Sequence, residues 1–271
     1  MVTAHVDVDS PRLKVEERLW QDRHGGDLQE RAFERPGTRA VLHEQFASVA
    51  DALQLRSGLR LLDLGCGVGH FLVWLRSRMA GQYYGLDLSV TSVGRARRRD
   101  PGLSLAVGDG EALPYRDASF DRVTCLGTAH HFFDTDAAFR EIHRILAPGG
   151  ILCLYEPAAT ALTAVLRRLV LHNHAFESPA DHVCKQEFTV ARMGNLLLGA
   201  GFVETTVSFR DFLAYPLSGN YLGSPFSRSP RLMALLCRTE RRLAHSRLLK
   251  PLRDVLAWRL LAVAVKGPAH P

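Results

Sequence analysis

The stretch RLLDLGCGVGHFL, residues 60–72, constrains this chain more than any other. RLLDL is a short, nearly continuous apolar run, the pattern of a strand buried on both faces. Glycines at 65, 67 and 69 break it, and HFLVWLRSRM then resumes with helical spacing. Without Cβ atoms, these glycines leave the backbone open to close approach by something else, with Asp63 two residues upstream. A strand feeding a helix through such a turn is the first half of a βαβ unit, and it needs further parallel strands to bury its faces.

The sequence supplies them. QYYGLDLS, LSLAVGD, FDRVTCLG and ILCLYEP read as successive strands. VTSVGRARRRD and DAAFREIHRIL lie between them as helices, the second stopped by APGG, where Pro and Gly forbid further turns. Upstream, TRAVLHEQFASVADAL is helical, and residues 1–36, closed by RPG, form a helical extension. Past residue 157 the alternation gives way. ALTAVLRRLVLHNH is an intervening amphipathic helix, and TVARMGNLLLGAGF is a Gly-capped helix leading into the strand VETTVSFRDFL. After a long insertion, helical around 231–256, WRLLAVAVK reads as the last strand. Alternating strands and helices imply an α/β fold with a parallel sheet covered on both faces, whose ligands bind at the carboxyl ends of the strands.

Composition excludes several classes. At 46% apolar and 23% charged residues, the chain has the make-up of a packed globular protein. Five scattered cysteines without a C-x-x-C pair argue against a disulfide framework or zinc ribbon and suit a reducing, cytoplasmic setting. The first twenty residues hold no apolar run, so they are not a signal peptide, and no segment approaches the roughly 18–20 apolar residues of a membrane span. The net charge of +6 is concentrated at one end: residues 228–271 hold ten Lys and Arg against Glu240 and Asp254. Such a tail suits a nucleic-acid or membrane surface, or simply the solvated faces of helices.

Two readings compete for the glycine loop. A dinucleotide turn would be G-x-G-x-x-G, but here the third glycine comes one residue early, and Asp63 would repel a pyrophosphate. A cationic ligand has the opposite preference; S-adenosylmethionine carries a sulfonium and an ammonium against one carboxylate. A tight turn holding nothing is the third possibility. Asp87, 20 residues after Gly67, ends the second strand, where an acid accepts both hydroxyls of a ribose. Asp109 ends the third, where a carboxylate accepts from an adenine amino group. Either acid alone would also suit a turn or cap. Acids at the ends of three successive strands are harder to explain that way.

LLDLGCGVGHFL, YYGLDLS, AVGDGEALPYRDASFDRVTCLGTAHHF and EIHRILAPGGILCLYEP resemble, in order and spacing, the motifs of the class I S-adenosylmethionine-dependent methyltransferases, in particular those that modify small molecules such as quinones and natural products. The resemblance covers residues 55–157, weakens over LLLGAGFVETTV and WRLLAVAVK, and says almost nothing of 1–35 or 214–255. It implies a Rossmann-like, seven-stranded, mostly parallel sheet with helices on both faces, the last strand antiparallel beside the fifth, plus a helical lid and insertions. It implies that Asp63, Gly65, Cys66, Gly67 and Gly69 meet the methionine part of the cofactor. Asp87 and Leu88 would meet the ribose and adenine edge. Asp109, Gly110 and Glu111 would surround the adenine amino group, and Leu126 and Gly127 would pass beneath the sulfonium. Asp121 reads as a structural turn residue. The expected organisation is an N-terminal lid over 1–36 and a methyltransferase domain over 37–271, with insertions at about 158–188 and 214–256. In this family a short turn joins the last two strands, so the second insertion is a departure, read here as a lid or substrate wall.

Methyl transfer from a sulfonium is an in-line displacement that needs alignment and, when the acceptor must lose a proton, a base. His130 and His131, just after the fourth strand, are the candidates, with His130 preferred; capping the next helix is their other use. His172, His174 and His182 read as polar lining of a substrate pocket, and no metal is expected. Tyr155 and Glu156, ending the fifth strand, are candidate substrate contacts. Trp20, Phe33 and Arg39 are placed in the lid over the cofactor, with Arg39 pairing its carboxylate. The expected partner is a small, apolar methyl acceptor, enclosed by the apolar segments at 160–171 and 232–262. Alternatives are an RNA acceptor, opposed by the lack of an RNA-binding module or aromatic-basic platform, and a lipid or quinone met at a membrane surface. A cofactor-binding partner protein without catalysis is a further alternative.

Overall fold

The structure, a computed structural model, describes residues 10–169, 188–218, 228–244, 246 and 248–268. Three helices precede the sheet: α1 (Ser10–Trp20), α2 (Gly26–Glu34) and α3 (Pro36–Ala52), with a π-helical turn, Gln21–Gly25, joining the first two. β1 (Arg60–Leu64), α4 (His70–Arg76), β2 (Gln82–Asp87), α5 (Val90–Arg99), β3 (Ser104–Val107), β4 (Phe120–Leu126), α6 (Thr135–Ile145) and β5 (Leu146–Pro157) follow. The chain continues through α7 (Ala161–Leu169), α8 (Val190–Gly199), β6 (Phe202–Arg210), α9 (Ala214–Leu217), α10 (Pro230–Ala244), α11 (Lys250–Leu256) and β7 (Arg259–Lys266).

The seven strands lie in the order β3-β2-β1-β4-β5-β7-β6. β1 to β5 pair in parallel, and β7 enters antiparallel between β5 and β6. The sequence-based expectation of a last, antiparallel strand beside the fifth thus holds. The chain runs outward from β1 to β3 and returns to β4, so the strand order reverses between β1 and β4, where a crevice opens at the carboxyl ends.

β1 reads as an unbroken apolar run because both its faces are covered. Leu62 and Leu64 pack with Val123 and Cys125 and with Phe139, Ile142 and Ile145 of α6. Leu61 faces the other way, onto Phe46 and Val49 of α3 and Phe71 and Leu75 of α4. Side-chain oxygens cap the helices: Ser89 accepts from Ser92 N at the start of α5, and Asp134 from Ala137 N at the start of α6.

APGG differs from its reading as a plain stop. Leu146 already pairs with Phe120, and pairing resumes at Ile151 with Arg122. The segment is therefore an irregularity within β5, with Gly149 at φ +72 absorbing the bend. Lys266 Nζ reaches across from β7 to the carbonyls of His143 and Leu146, 2.7 Å each, and so satisfies the end of α6. Between β6 and β7, α10 packs on α3, and Glu240 accepts the N–H groups of Phe212 and Ala214. Among the described residues no helix is long and apolar enough to cross a membrane.

Candidate functional site

The glycine loop sits at the crevice. Gly65, Gly67 and Gly69 have φ of +75, +52 and +80, the left-handed region that suits glycine. A Cβ on Gly65 would collide with the Thr128 side chain, and one on Gly67 with the Gln29 amide. Gly65 N and Cys66 N both donate to Leu86 O, at 2.7 and 3.1 Å, tying the loop to β2.

Three acids stand where the sequence placed them. Asp87 accepts from Gly67 N at 2.7 Å and from Ser89 N at 2.8 Å, one bond per oxygen, with lone pairs left over. Burial raises its carboxyl from the ordinary value, against those two bonds. Asp63 is 2% exposed, and its Oδ1 is buried without a hydrogen-bond partner. Burial, and then the charge of Asp87, push the Asp63 carboxyl up to about 8. An arriving cation would take up that orphaned oxygen and favour the ionised form. Asp109 accepts from Glu111 N at 2.9 Å, and Glu111 accepts from Phe133 N at 2.7 Å. Asp121, by contrast, is structural: it accepts from Arg60 N at 2.9 Å and pairs with the Arg60 guanidinium at 3.0 Å.

A cavity of about 140 Å³ runs along these strand ends. Gly65, Asp87, Leu88, Asp109, Gly110 and Glu111 line it from one side, and Leu126, Gly127 and His131 from the other. Asp63, Cys66, Gly67 and Gly69 belong to the loop and strand behind that wall. The fit with a cationic nucleoside ligand is chemical as well as spatial. A glycine cradle and two carboxylates able to accept from an amino group lie along one crevice, with the orphaned Asp63 oxygen behind it.

Sequence reasoning missed the residues that close this cavity. Lys14 Nζ of α1 lies 2.7 Å from both Asp109 Oδ2 and Glu111 Oε2. Gln29 of α2 accepts from Val68 N at 3.1 Å, inside the glycine loop. Asp22 accepts from Ser89 Oγ at 2.6 Å and Thr91 N at 3.0 Å, adding a second cap to α5. Glu17, 2% exposed, lies 3.3 Å from His131 Nδ1. The residues proposed for that role lie elsewhere. Trp20 packs beside His24, at 5.4 Å between ring centroids. Phe33, one helical turn past Gln29, has cleared the loop and stacks on His70, and Arg39 lines the same outer groove.

The short 3₁₀ turn Ala129–His131 carries the histidines. They do not cap α6, because Asp134 does. His130 Nδ1 is 2.8 Å from Glu156 Oε2, and Glu156 Oε1 accepts from Thr128 N and Ala129 N at 2.9 Å each. Glu156 is wholly buried, which corrects the expectation that it meets substrate; it sits behind His130 instead. Burial alone would raise its carboxyl, but His130 and the two N–H groups outweigh burial and hold it below the usual carboxylate range. Tyr155 is also buried, 5% exposed, with Asp211 beside its hydroxyl, rather than open to a substrate. His172, His174 and His182 lie outside the described residues, and among the described residues no cluster of three or more metal-ligating side chains occurs.

Residues 62–154 match a family profile described as "Methyltransferase domain". Methyltransferase GfsG of Streptomyces halstedii is 36% identical over 39% of this chain and 40% of that protein. The 27-O-demethylrifamycin SV methyltransferase of Amycolatopsis mediterranei is 35% identical over 45% of this chain and 48% of that protein. The chain thus spans about half, or less, of the length of these relatives. Among solved structures, Haemonchus contortus phosphoethanolamine N-methyltransferase 2 in complex with S-adenosyl-L-methionine aligns over 93% of this chain and 60% of that one. Its TM-score is 0.64 at 21% identity, a likeness of fold. Residues 62–154 are thus a methyltransferase domain, in a fold shared with an S-adenosyl-L-methionine complex.

Proposed function

We propose that this protein transfers a methyl group from S-adenosylmethionine to a small organic acceptor with an apolar body, and that His130 takes the acceptor's proton. The observation that carries this reading is the His130–Glu156 pair at the tip of β4, a few residues beyond Gly127 in the wall of the cofactor cavity. The relative named for 27-O-demethylrifamycin SV supports an acceptor of natural-product type.

When bound, the sulfonium supplies a methyl on an already activated leaving group. The chain's own residues hold, align and deprotonate. Asp63 offers its orphaned oxygen to the cationic amino-acid end, and Asp87 accepts from the ribose. Asp109 and Glu111 accept from the adenine amino group at the positions Lys14 now answers. We read α1 and α2 as the lid that closes over this ligand and excludes water. Next to His131 of the cavity wall, His130 donates its Nδ1 proton to Glu156, which leaves Nε2 as the acceptor nitrogen of the ring. Nε2 would take the proton from an acidic O–H or C–H, leaving the electron pair on the acceptor; bound S-adenosylmethionine would supply the methyl, its sulfur keeping the electrons of the broken S–CH₃ bond as a neutral thioether. The buried Glu156 carboxylate stabilises the imidazolium so formed.

Part of the basic C-terminal segment is engaged within the chain. Arg241 pairs with Glu44 at 2.9 Å, Lys250 with Asp254 at 2.5 Å, and Lys266 with backbone carbonyls. That argues against a phosphate-tracking surface for RNA.

The test combines calorimetry with methyl-labelled S-adenosylmethionine and a panel of phenols, enols and alcohols on fused-ring or macrocyclic bodies. Label should reach members of the panel, and His130→Ala should lower kcat by about 100-fold or more while S-adenosylhomocysteine affinity stays unchanged. Heat with a nicotinamide nucleotide and none with S-adenosylmethionine would overturn the cofactor. Full turnover by His130→Ala would remove the base.

A further inference from the structure

A second concavity, of about 510 Å³, lies outside the cofactor crevice, between α2, α3, α4 and the end of α5. It shares no lining residue with the crevice, and nothing in methyl transfer requires it. We propose that this groove is a separate binding site for a planar aromatic anion.

Its walls are aromatic. Phe33 and His70 stack nearly parallel, with centroids 3.8 Å apart and planes at 10°. Trp74 carries the Arg78 guanidinium 4.3 Å above its ring. His43 packs edge-on against Phe33 at 5.4 Å. Two ring nitrogens in this wall, Trp74 Nε1 and His70 Nε2, are buried without hydrogen-bond partners. The indole nitrogen is a donor only, and a buried N–H without an acceptor is costly until a ligand supplies one. Burial, and then Arg99 and His43, push the His70 ring down to about 3, so it stays neutral and offers either nitrogen role.

The charge is cationic where it is not already answered. Arg39 has no carboxylate within ion-pair distance among the described residues. Arg78 donates only to neutral oxygens, Trp74 O at 3.1 Å and Ser77 Oγ at 2.9 Å. Both arginines act on His43, whose ring is held neutral first by burial and then by their charges. Of the acids in the lining, Glu30 is already paired with Arg95 and Arg99, at 3.3 and 3.2 Å, and Glu34 stands exposed. Guanidinium groups beside ring faces match a flat ligand that carries a carboxylate, and they repel a sulfonium.

Naphthalene-2-carboxylate titrated into the full chain tests this, read by calorimetry and by tryptophan fluorescence. One saturable site is expected. Saturating S-adenosylhomocysteine should leave its affinity within twofold, and the neutral naphthalene-2-carboxamide should bind at least tenfold more weakly. Arg39→Ala and Arg78→Ala, both at exposed positions, should each weaken binding at least fivefold with an unchanged unfolding midpoint. Trp74→Phe should abolish the fluorescence response. Absence of saturable binding, displacement by S-adenosylhomocysteine, equal binding of the carboxamide, or an unaffected Arg39→Ala variant would each overturn the proposal. Competition by inorganic phosphate at similar concentration would also overturn it, since the rings would then contribute nothing.

Discussion

Replacing Glu156 by Gln changes one oxygen to an amide nitrogen at a fully buried site and so isolates what the carboxylate does. The Gln carbonyl is held toward Thr128 N and Ala129 N, which need an acceptor, and this turns the NH₂ toward His130 Nδ1. His130 then favours accepting at Nδ1 and carrying its proton on Nε2, and only its disfavoured Nδ1–H tautomer still acts as a base. The variant also lacks a charge 2.8 Å from the imidazolium that forms during transfer. An opposing charge at such range is worth about 1–3 pK units, or roughly 1.4–4 kcal/mol. The expected fall in kcat is therefore about 10- to 1000-fold, for acceptors that must lose a proton. The acidic limb of the kcat profile should move to lower pH, because a neutral neighbour no longer favours the imidazolium. Nitrogen-15 NMR of the two His130 ring nitrogens reads the tautomer without any acceptor and should show the proton moved from Nδ1 to Nε2. Unchanged tautomer and rate would refute the reasoning. A parallel loss of S-adenosylhomocysteine affinity would refute it differently, by making Glu156 a prop for the cofactor loop.

Gly65→Ala places a Cβ against Thr128 at a left-handed φ and should abolish cofactor binding in calorimetry while the chain still folds. Asp63 is raised to about 8 in the folded chain, above its unfolded value, so the native state binds the extra proton between those values. Its contribution to stability is present below about 4 and lost as pH rises toward 8. Asp63→Asn should flatten that decline in unfolding titrations of the ligand-free protein. In wild type, binding of the cationic cofactor at pH 7 should release up to one proton, seen by comparing buffers of different ionisation enthalpy. Phe139→Ala, at a wholly buried position between α6 and the sheet, should cost about 3–5 kcal/mol in denaturant unfolding.

The glycines and strand-end acids of the proposed cofactor site were legible because each part is local. Asp63 and its glycines share one strand-to-helix turn, Asp87 ends β2 just before a helix, and Asp109 follows β3 by two residues. The sheet was legible for a related reason: RLLDL and ILCLYEP are buried on both faces, so they appear as apolar runs that need no partner to be recognised. Lys14 had no such signature. It is one charge on a polar helix, and its meaning comes from carboxylates 95 residues away in sequence. Phe33 shows the same limit, since being in the same helix as Gln29 did not decide whether a side chain passes over the loop or beyond it.

Glu156 is the instructive middle case. Tyr155 and Glu156 were both marked, yet neighbours on a strand point to opposite faces, so only one of them could stand on the side of His130. The parallel register, Leu126 beside Tyr155, then brings the end of β5 level with the loop that follows β4. Alternation and register together select Glu156 and turn a supposed substrate contact into the group that holds His130, the base we propose. The insertions that we propose enclose the acceptor follow the opposite rule. α10 joins α3 through contacts such as Glu44 with Arg241, and the end of β6 meets α10 through Glu240. These are pairings between distant segments, each unremarkable alone. A cofactor common to a whole family is held by one turn of chain and leaves a motif. An acceptor particular to one member is held by packing among insertions and leaves only composition, which is why the reaction class emerged from residues 62–154 and the acceptor did not.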